Sequence, residues 1–133
     1  MTKSQEYNLF FSTYNMNSGK IKPTIGTPLI NGSSLNCEIA SFLEPNGVLG
    51  VDSIKFDIIS LLDNGEPVPN VNIWGYHESE SIELRYLPPS SPVIVLNTGG
   101  KEVLVPVNDF LQILDEWKAF VESVPNPHWL ENR

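Results

Sequence analysis

Apolar positions along this chain follow two different periods. Through most of it they alternate with polar residues, the pattern of half-buried strands, and from Asn108 onward they recur at steps of three and four, the pattern of a helix. Tyr7, Leu9 and Phe11 alternate with Asn8 and Phe10, which predicts a first strand with one strongly apolar face. The stretch 12–34 is polar and interrupted by Gly19, Pro23, Gly26, Pro28 and the Asn31-Gly32 pair, so it is expected to be mostly loop, with a short extended piece at Leu29-Ile30. Leu35, Cys37, Ile39, Ser41 and Leu43 fall on one face of an extended chain. After Glu44-Pro45-Asn46-Gly47, Ile54, Phe56 and Ile58 alternate with Lys55 and Asp57. Together these predict a long antiparallel hairpin, and the change of phase at Ile58-Ile59, beyond which Leu61 continues the apolar series, reads as a bulge.

Asp63-Asn64-Gly65 supplies the next turn, followed by a strand near 71–76 and another carrying Ile82, Leu84 and Tyr86, which are expected to pair. The runs 93–96 and 102–105 flank Asn97-Thr98-Gly99-Gly100-Lys101, a hairpin loop in which glycine takes positive φ without steric cost. The helix predicted over 108–122 places Phe110, Ile113, Leu114, Trp117, Phe120 and Val121 on one stripe and Asp109, Gln112, Asp115, Glu116 and Lys118 elsewhere. Asn108 is the expected N-cap, Asp109 suits the positive end of the helix dipole, and Pro125 and Pro127 prevent continuation. The expected architecture is α+β: a mostly antiparallel sheet of about six to eight strands, packed by one C-terminal amphipathic helix through Phe110, Trp117 and Val121. Trp129 and Leu130 in the tail are expected to tuck against this body, the alternative being extension to a partner.

Length and composition narrow the class. With 133 residues, 41% of them hydrophobic and no linker, repeat or low-complexity block, residues 1–133 read as a single domain able to bury one core. The lone Cys37 excludes an intrachain disulfide and a multi-cysteine zinc site, and points to a reducing compartment. No secretory leader or membrane-length apolar run is visible, so the expected location is cytoplasmic. The net charge of −8 is unevenly spread, because residues 1–35 hold Lys3, Lys20 and Lys22 against Glu6 while the remainder is strongly acidic. Between Lys55 and Arg85 the charged groups are Asp57, Asp63, Glu66, Glu78, Glu80 and Glu83, with no lysine or arginine among them. Such a field repels phosphate backbones and accelerates association with a basic protein, which disfavours nucleic acid as a partner.

Motifs that would carry chemistry are few. Gly99-Gly100-Lys101 lacks the earlier glycine of a phosphate loop and is followed by Glu102 where Ser or Thr is required. There is no Gly-x-Ser-x-Gly elbow, and His77 and His128 are the only histidines available to a triad. His77-Glu78-Ser79-Glu80 is the densest set of metal-ligand types, but two carboxylates make a weak site and the segment reads better as a solvated acidic turn. Cys37 shares an apolar face with Leu35 and Ile39 and reads as a small core residue. No catalytic residue, metal site or cofactor is therefore assigned, and the chain is read as a non-enzyme.

Trp74 and Tyr76 lie on the strand face opposite Val71 and Ile73, directly before the acidic stretch. If that face is exposed they are aromatic anchors beside carboxylates, a combination suited to a protein interface; if it is buried they are core. The candidate partner-binding set is accordingly Asp63, Glu66, Trp74, Tyr76, Glu78, Glu80 and Glu83. The segment Val105-Pro-Val-Asn-Asp-Phe-Leu-Gln-Ile-Leu-Asp-Glu-Trp-Lys-Ala-Phe-Val-Glu resembles the closing helix of many bacterial immunity proteins, the small cytoplasmic partners of contact-dependent inhibition and related polymorphic toxins. The resemblance rests on size, acidity, a strand-rich body and one closing helix. It implies an inhibitor that binds and blocks the catalytic domain of a basic cognate toxin, for instance a nuclease, without chemistry of its own. The alternatives are a small ligand-binding or structural interaction module, or a carboxylate-based hydrolase, and the oligomeric state is left open.

Overall fold

The computed structural model describes residues 1–30, 33–34, 36–63, 71–77, 80–88, 91–98 and 101–128, and gives only the backbone course at 30, 33–34, 71–77, 80–81 and 98. Over these residues the chain is α+β, with short helix α1 (Lys3–Glu6), α2 (Cys37–Leu43), α3 (Val48–Asp63) and α4 (Val107–Ser123). Strands β1 (Phe10–Asn15) and β2 (Ile21–Gly26) form a two-stranded ribbon, and β3 (Leu29–Ile30) pairs only with β4 (Ser33–Ser34). Strands β5 (Val71–His77), β6 (Glu80–Leu87), β7 (Ser91–Thr98) and β8 (Lys101–Pro106) form an antiparallel sheet in sequence order. The expectation of one sheet of six to eight strands closed by a single helix is thus overturned: among the described residues no sheet exceeds four strands, and there are four helices.

The largest departure is the expected hairpin over 35–61, which folds instead as α2 and α3. Ile54 and Ile58 are four residues apart, a spacing that a strand and a helix both place on one face. The residue between them decides. Alternation requires Phe56 to share their burial, yet Ile54 and Ile58 are 0% exposed and Phe56 is 71% exposed. Val51, at three residues from Ile54, completes the helical stripe. Ile58 and Ile59 differ in burial because a helix turns about 100° per residue, so no bulge is needed. Asn46-Gly47 is an interhelix connection: the Asn46 amide donates to the Phe42 carbonyl at 2.7 Å, and Val51 N–H donates to the Gly47 carbonyl at 3.0 Å.

At the N-terminus, the strand expected over 7–11 begins only at Phe10. Asn8 has φ 62° and ends α1 with its N–H on the Gln5 carbonyl at 2.9 Å, a role asparagine fills because it tolerates the left-handed region. The stretch 12–34, expected to be loop, contributes most of the β1–β2 ribbon, in register from Phe10↔Gly26 to Asn15↔Ile21. Pro23 is tolerated there because both strands of a two-stranded ribbon are edges. The C-terminal segment lies along β2, with His128 N–H donating to the Ile21 carbonyl at 2.8 Å and Ile21 N–H to the Asn126 carbonyl at 3.1 Å.

Helix α4 matches its predicted span within a residue at each end, but Asn108 is not the cap. Pro106, the last residue of β8, holds the N-cap position in extended geometry, so strand passes into helix without a loop and Asn108 sits exposed in the first turn. Val124, pushed to ψ 120° by the following proline, ends the helix as expected. Helices α2, α3 and α4 pack on one face of the sheet, where Ile82, Leu84, Ile94, Leu96 and Val105 meet Phe110, Ile113, Leu114 and Trp117. Each of these fully buried large side chains contributes roughly 1.5–3 kcal/mol through removal from water. Trp117 is the hinge of the packing. Its ring meets Phe11 edge-on at 5.1 Å, and its indole N–H donates to the Asn46 carbonyl at 2.7 Å, tying α4 to the α2–α3 connection.

Candidate partner-binding surface

The seven residues singled out from the sequence do not form one described patch. Asp63 is exposed at the C-terminal end of α3. Glu66 and Glu78 lie outside the described residues. Trp74 and Tyr76 are placed by the backbone of β5, and Glu80 opens β6 opposite His77. The β5–β6 register shifts between Asn72 and Trp74, so that Val71 stands across from Leu84 and Trp74 across from Ile82, both of which are buried on the helix-facing side. A register shift of one residue exchanges the faces of a strand.

Glu83 is half-buried and committed to a local network. The Arg85 guanidinium donates to Glu83, two residues away on the same strand, and to Glu102 of β8 at 3.1 Å. On the same sheet face Val93 and Val95 of β7 are buried, next to these long side chains in the register. Glu102 and then Glu83 hold the guanidinium further above its ordinary value, against the opposing effect of desolvation. This acid is a structural ion-pair member with little charge left for a partner.

Acidity is concentrated on α3 and α4, where seven acids, of which only Asp63 belongs to the candidate set, stand against Lys55 and Lys118. Both bases are engaged: Lys55 Nζ lies 2.5 Å from Asp115 and Lys118 Nζ 2.8 Å from Asp52, each pair bridging the two helices. Two of the acids work internally. Glu116 accepts from Lys3 N–H at 3.0 Å, Ser4 N–H at 2.7 Å and Ser4 Oγ at 2.5 Å, so it satisfies the first turn of α1. Asp109 accepts from the Tyr7 hydroxyl at 2.7 Å and pairs with Lys3 at 3.5 Å. Burial, then the Asp109 carboxylate, pushes the Tyr7 hydroxyl up to about 12. The remaining acids, Asp57, Asp63 and Glu122, stand in no ion pair among the described residues and set the sign of this surface.

The outward stripe of α3 carries Leu49, Asp52, Ser53, Phe56, Ile59 and Asp63, all exposed. Leu49 is 67%, Phe56 71% and Ile59 43% exposed, so three large apolar side chains face water, the last two of them between Asp52 and Asp63. The alternating reading hid this stripe by assigning Phe56 to the core; the helical spacing of Leu49, Phe56 and Ile59 is the signal that would have found it. A separate cleft of about 410 Å³ lies between α1, β1 and α4, lined by Leu9, Phe10, Phe11 and Phe120, with Ser4 and Glu116 at its polar end.

Catalytic candidates gain no geometry. Cys37 opens α2 half-buried, and burial followed by the neighbouring Glu38 carboxylate raises its thiol, the opposite of what a nucleophile needs. Among the described residues no three of His, Cys, Asp and Glu converge on a metal position, and no helix is long and apolar enough to cross a membrane. No protein-family model, curated protein or solved structure matches the chain.

Proposed function

We propose that this protein acts by binding a basic protein, and that its biological form is an immunity protein that neutralises a toxin by covering the toxin's catalytic domain in the cytoplasm. The observation that carries the reading is the charge of the α3–α4 surface: seven acids, two bases, and both bases already paired across the helices. A partner rich in lysine and arginine would meet uncompensated carboxylates there and would be steered onto them. Support from the immunity resemblance now lies in size, acidity and the closing helix α4, since the strand-rich body it also drew on is replaced by a four-helix α+β fold.

The experiment is co-expression with a basic protein encoded beside it, followed by stopped-flow association at rising salt. The expected result is protection of the host, a stable complex, and an association rate that falls steeply as salt rises toward about 0.15 M. Reversing Asp57, Asp63 and Glu122, the acids of that surface outside any ion pair among the described residues, to lysine should slow association by about tenfold. A rate indifferent to salt and to these reversals would sink the basic-partner reading. The apolar cleft beside Phe10 and Phe120 favours a second reading, a small-ligand module; a cleft-filling Ala119→Phe variant that abolishes toxin protection while leaving the charged surface intact would move the function there.

A further inference from the structure

We infer that the outward stripe of α3 is the anchor of the interface, with Leu49, Phe56 and Ile59 inserting among apolar side chains of a cationic protein whose lysines or arginines meet Asp57 and Asp63. The inference rests on the basic-partner reading and names the surface that performs it. The stripe is regular: Leu49 to Ile59 spans ten residues, roughly 15 Å of helix axis, and presents one apolar group about every two turns or less. Phe56 at its centre is the most exposed of the three, and an aromatic ring flanked by aliphatic side chains is the composition from which interface hot spots are built.

The flanking charge selects the occupant. Asp63 closes the stripe and Asp57 lies on the same helix, both outside any ion pair among the described residues, while Asp52 and Asp115 are compensated by Lys118 and Lys55, so the rim keeps a net negative charge. A second copy of this chain would bring the same rim against itself: two antiparallel α3 helices meeting at Phe56 set Asp63 of each beside Leu49 and Asp52 of the other, in a protein of net charge −8. Like charges opposed at close range cost free energy, and an isologous contact doubles every such opposition. A cationic partner with its own apolar groove or ridge relieves the same acids.

The test uses the full chain and a helical peptide made only of leucine and lysine, with leucine–serine and leucine–glutamate peptides as controls. Backbone amide resonances are followed by NMR and affinity by calorimetry. The leucine–lysine peptide should shift resonances along 49–63, bind at least about tenfold more tightly than the leucine–serine peptide, and leave the leucine–glutamate peptide unbound. Phe56→Ser and, independently, Ile59→Ser should each weaken it about tenfold, and Asp63→Lys by a similar factor, with unchanged urea midpoints establishing that the variants fold. Shifts confined to the cleft around Phe10 and Phe120, equal binding of the leucine–glutamate peptide, or a concentration-dependent dimer abolished by Phe56→Ser would each overturn the assignment. Complex formation with a basic protein that survives both serine substitutions would overturn it too, while leaving the basic-partner reading standing.

Discussion

Trp117 concentrates three requirements in one side chain: volume at the centre of the core, an edge for Phe11, and a donor for the Asn46 carbonyl. Trp117→Phe keeps an aromatic ring but removes the donor from a buried acceptor and leaves space behind, so a loss of about 2–4 kcal/mol is expected from urea unfolding. Glu116 joins residues more than a hundred positions apart in the chain through three accepted hydrogen bonds. Glu116→Ala should destabilise by about 2 kcal/mol and remove hydrogen-exchange protection at Leu9, whose N–H is bonded to the Ser4 carbonyl, whereas Glu116→Gln keeps an acceptor and should retain most of that protection. Tyr7 makes a pH-dependent contribution of known sign. Its hydroxyl rises from 10.0 to about 12 in the fold, so its proton is held more tightly folded than unfolded; the stability it supplies is complete below pH 10 and is lost between pH 10 and about 12. Lys3, raised by Glu6 and Asp109, loses its contribution in the same alkaline direction. Tyr7→Phe should therefore flatten the alkaline limb of the stability–pH curve without moving the acid limb.

At the scale of elements, periodicity was legible where apolar and polar positions contrast. Helix α4 sets Phe110, Ile113, Leu114, Trp117 and Val121 against a polar remainder, and the β7–β8 hairpin is marked by two short apolar runs flanking a glycine-containing segment, so both stand in the structure where the pattern put them. Helix α3 has a weaker contrast, because Leu49, Phe56 and Ile59 interrupt the polar residues of its outer face, and Ile54, Phe56 and Ile58 then satisfy an alternating period as well. A pair of substitutions separates the two. Ile58→Ala should cost about 3 kcal/mol and Phe56→Ser no more than about 0.5 kcal/mol by urea midpoint; a strand with both residues on its buried face requires comparable losses. The strand reading of 35–61 also hid the exposed apolar surface of α3.

For the molecule as a whole, charge opposes compaction. Sixteen acids against eight bases leave a net −8, and the described ion pairs, such as Lys55–Asp115 and Lys118–Asp52, are partly exposed and worth less than about 1 kcal/mol each. Screening should relieve more repulsion than it removes attraction, so raising salt from about 0.01 to about 0.5 M is expected to increase the urea midpoint. A decrease would mean that the paired charges dominate. The partner proposed for this surface acts in the same direction: a cationic protein on α3 replaces self-repulsion with attraction, and the folded state should be stabilised by complex formation in proportion to ligand excess over Kd.

Residue types alone established the size of the core, the absence of disulfide staples, the sign and uneven placement of charge, helix α4 and the β7–β8 hairpin, because each follows from composition or from a local period that has one solution. The identity of 37–63 as two helices, the register of β5 on β6, the capture of α1 by Glu116 and the commitment of Glu83 to Arg85 were settled by packing between distant segments. Ile54 and Ile58 satisfy a strand and a helix equally; it is the room available against α4 and the sheet that turns Phe56 outward, and with it the surface on which a partner can act.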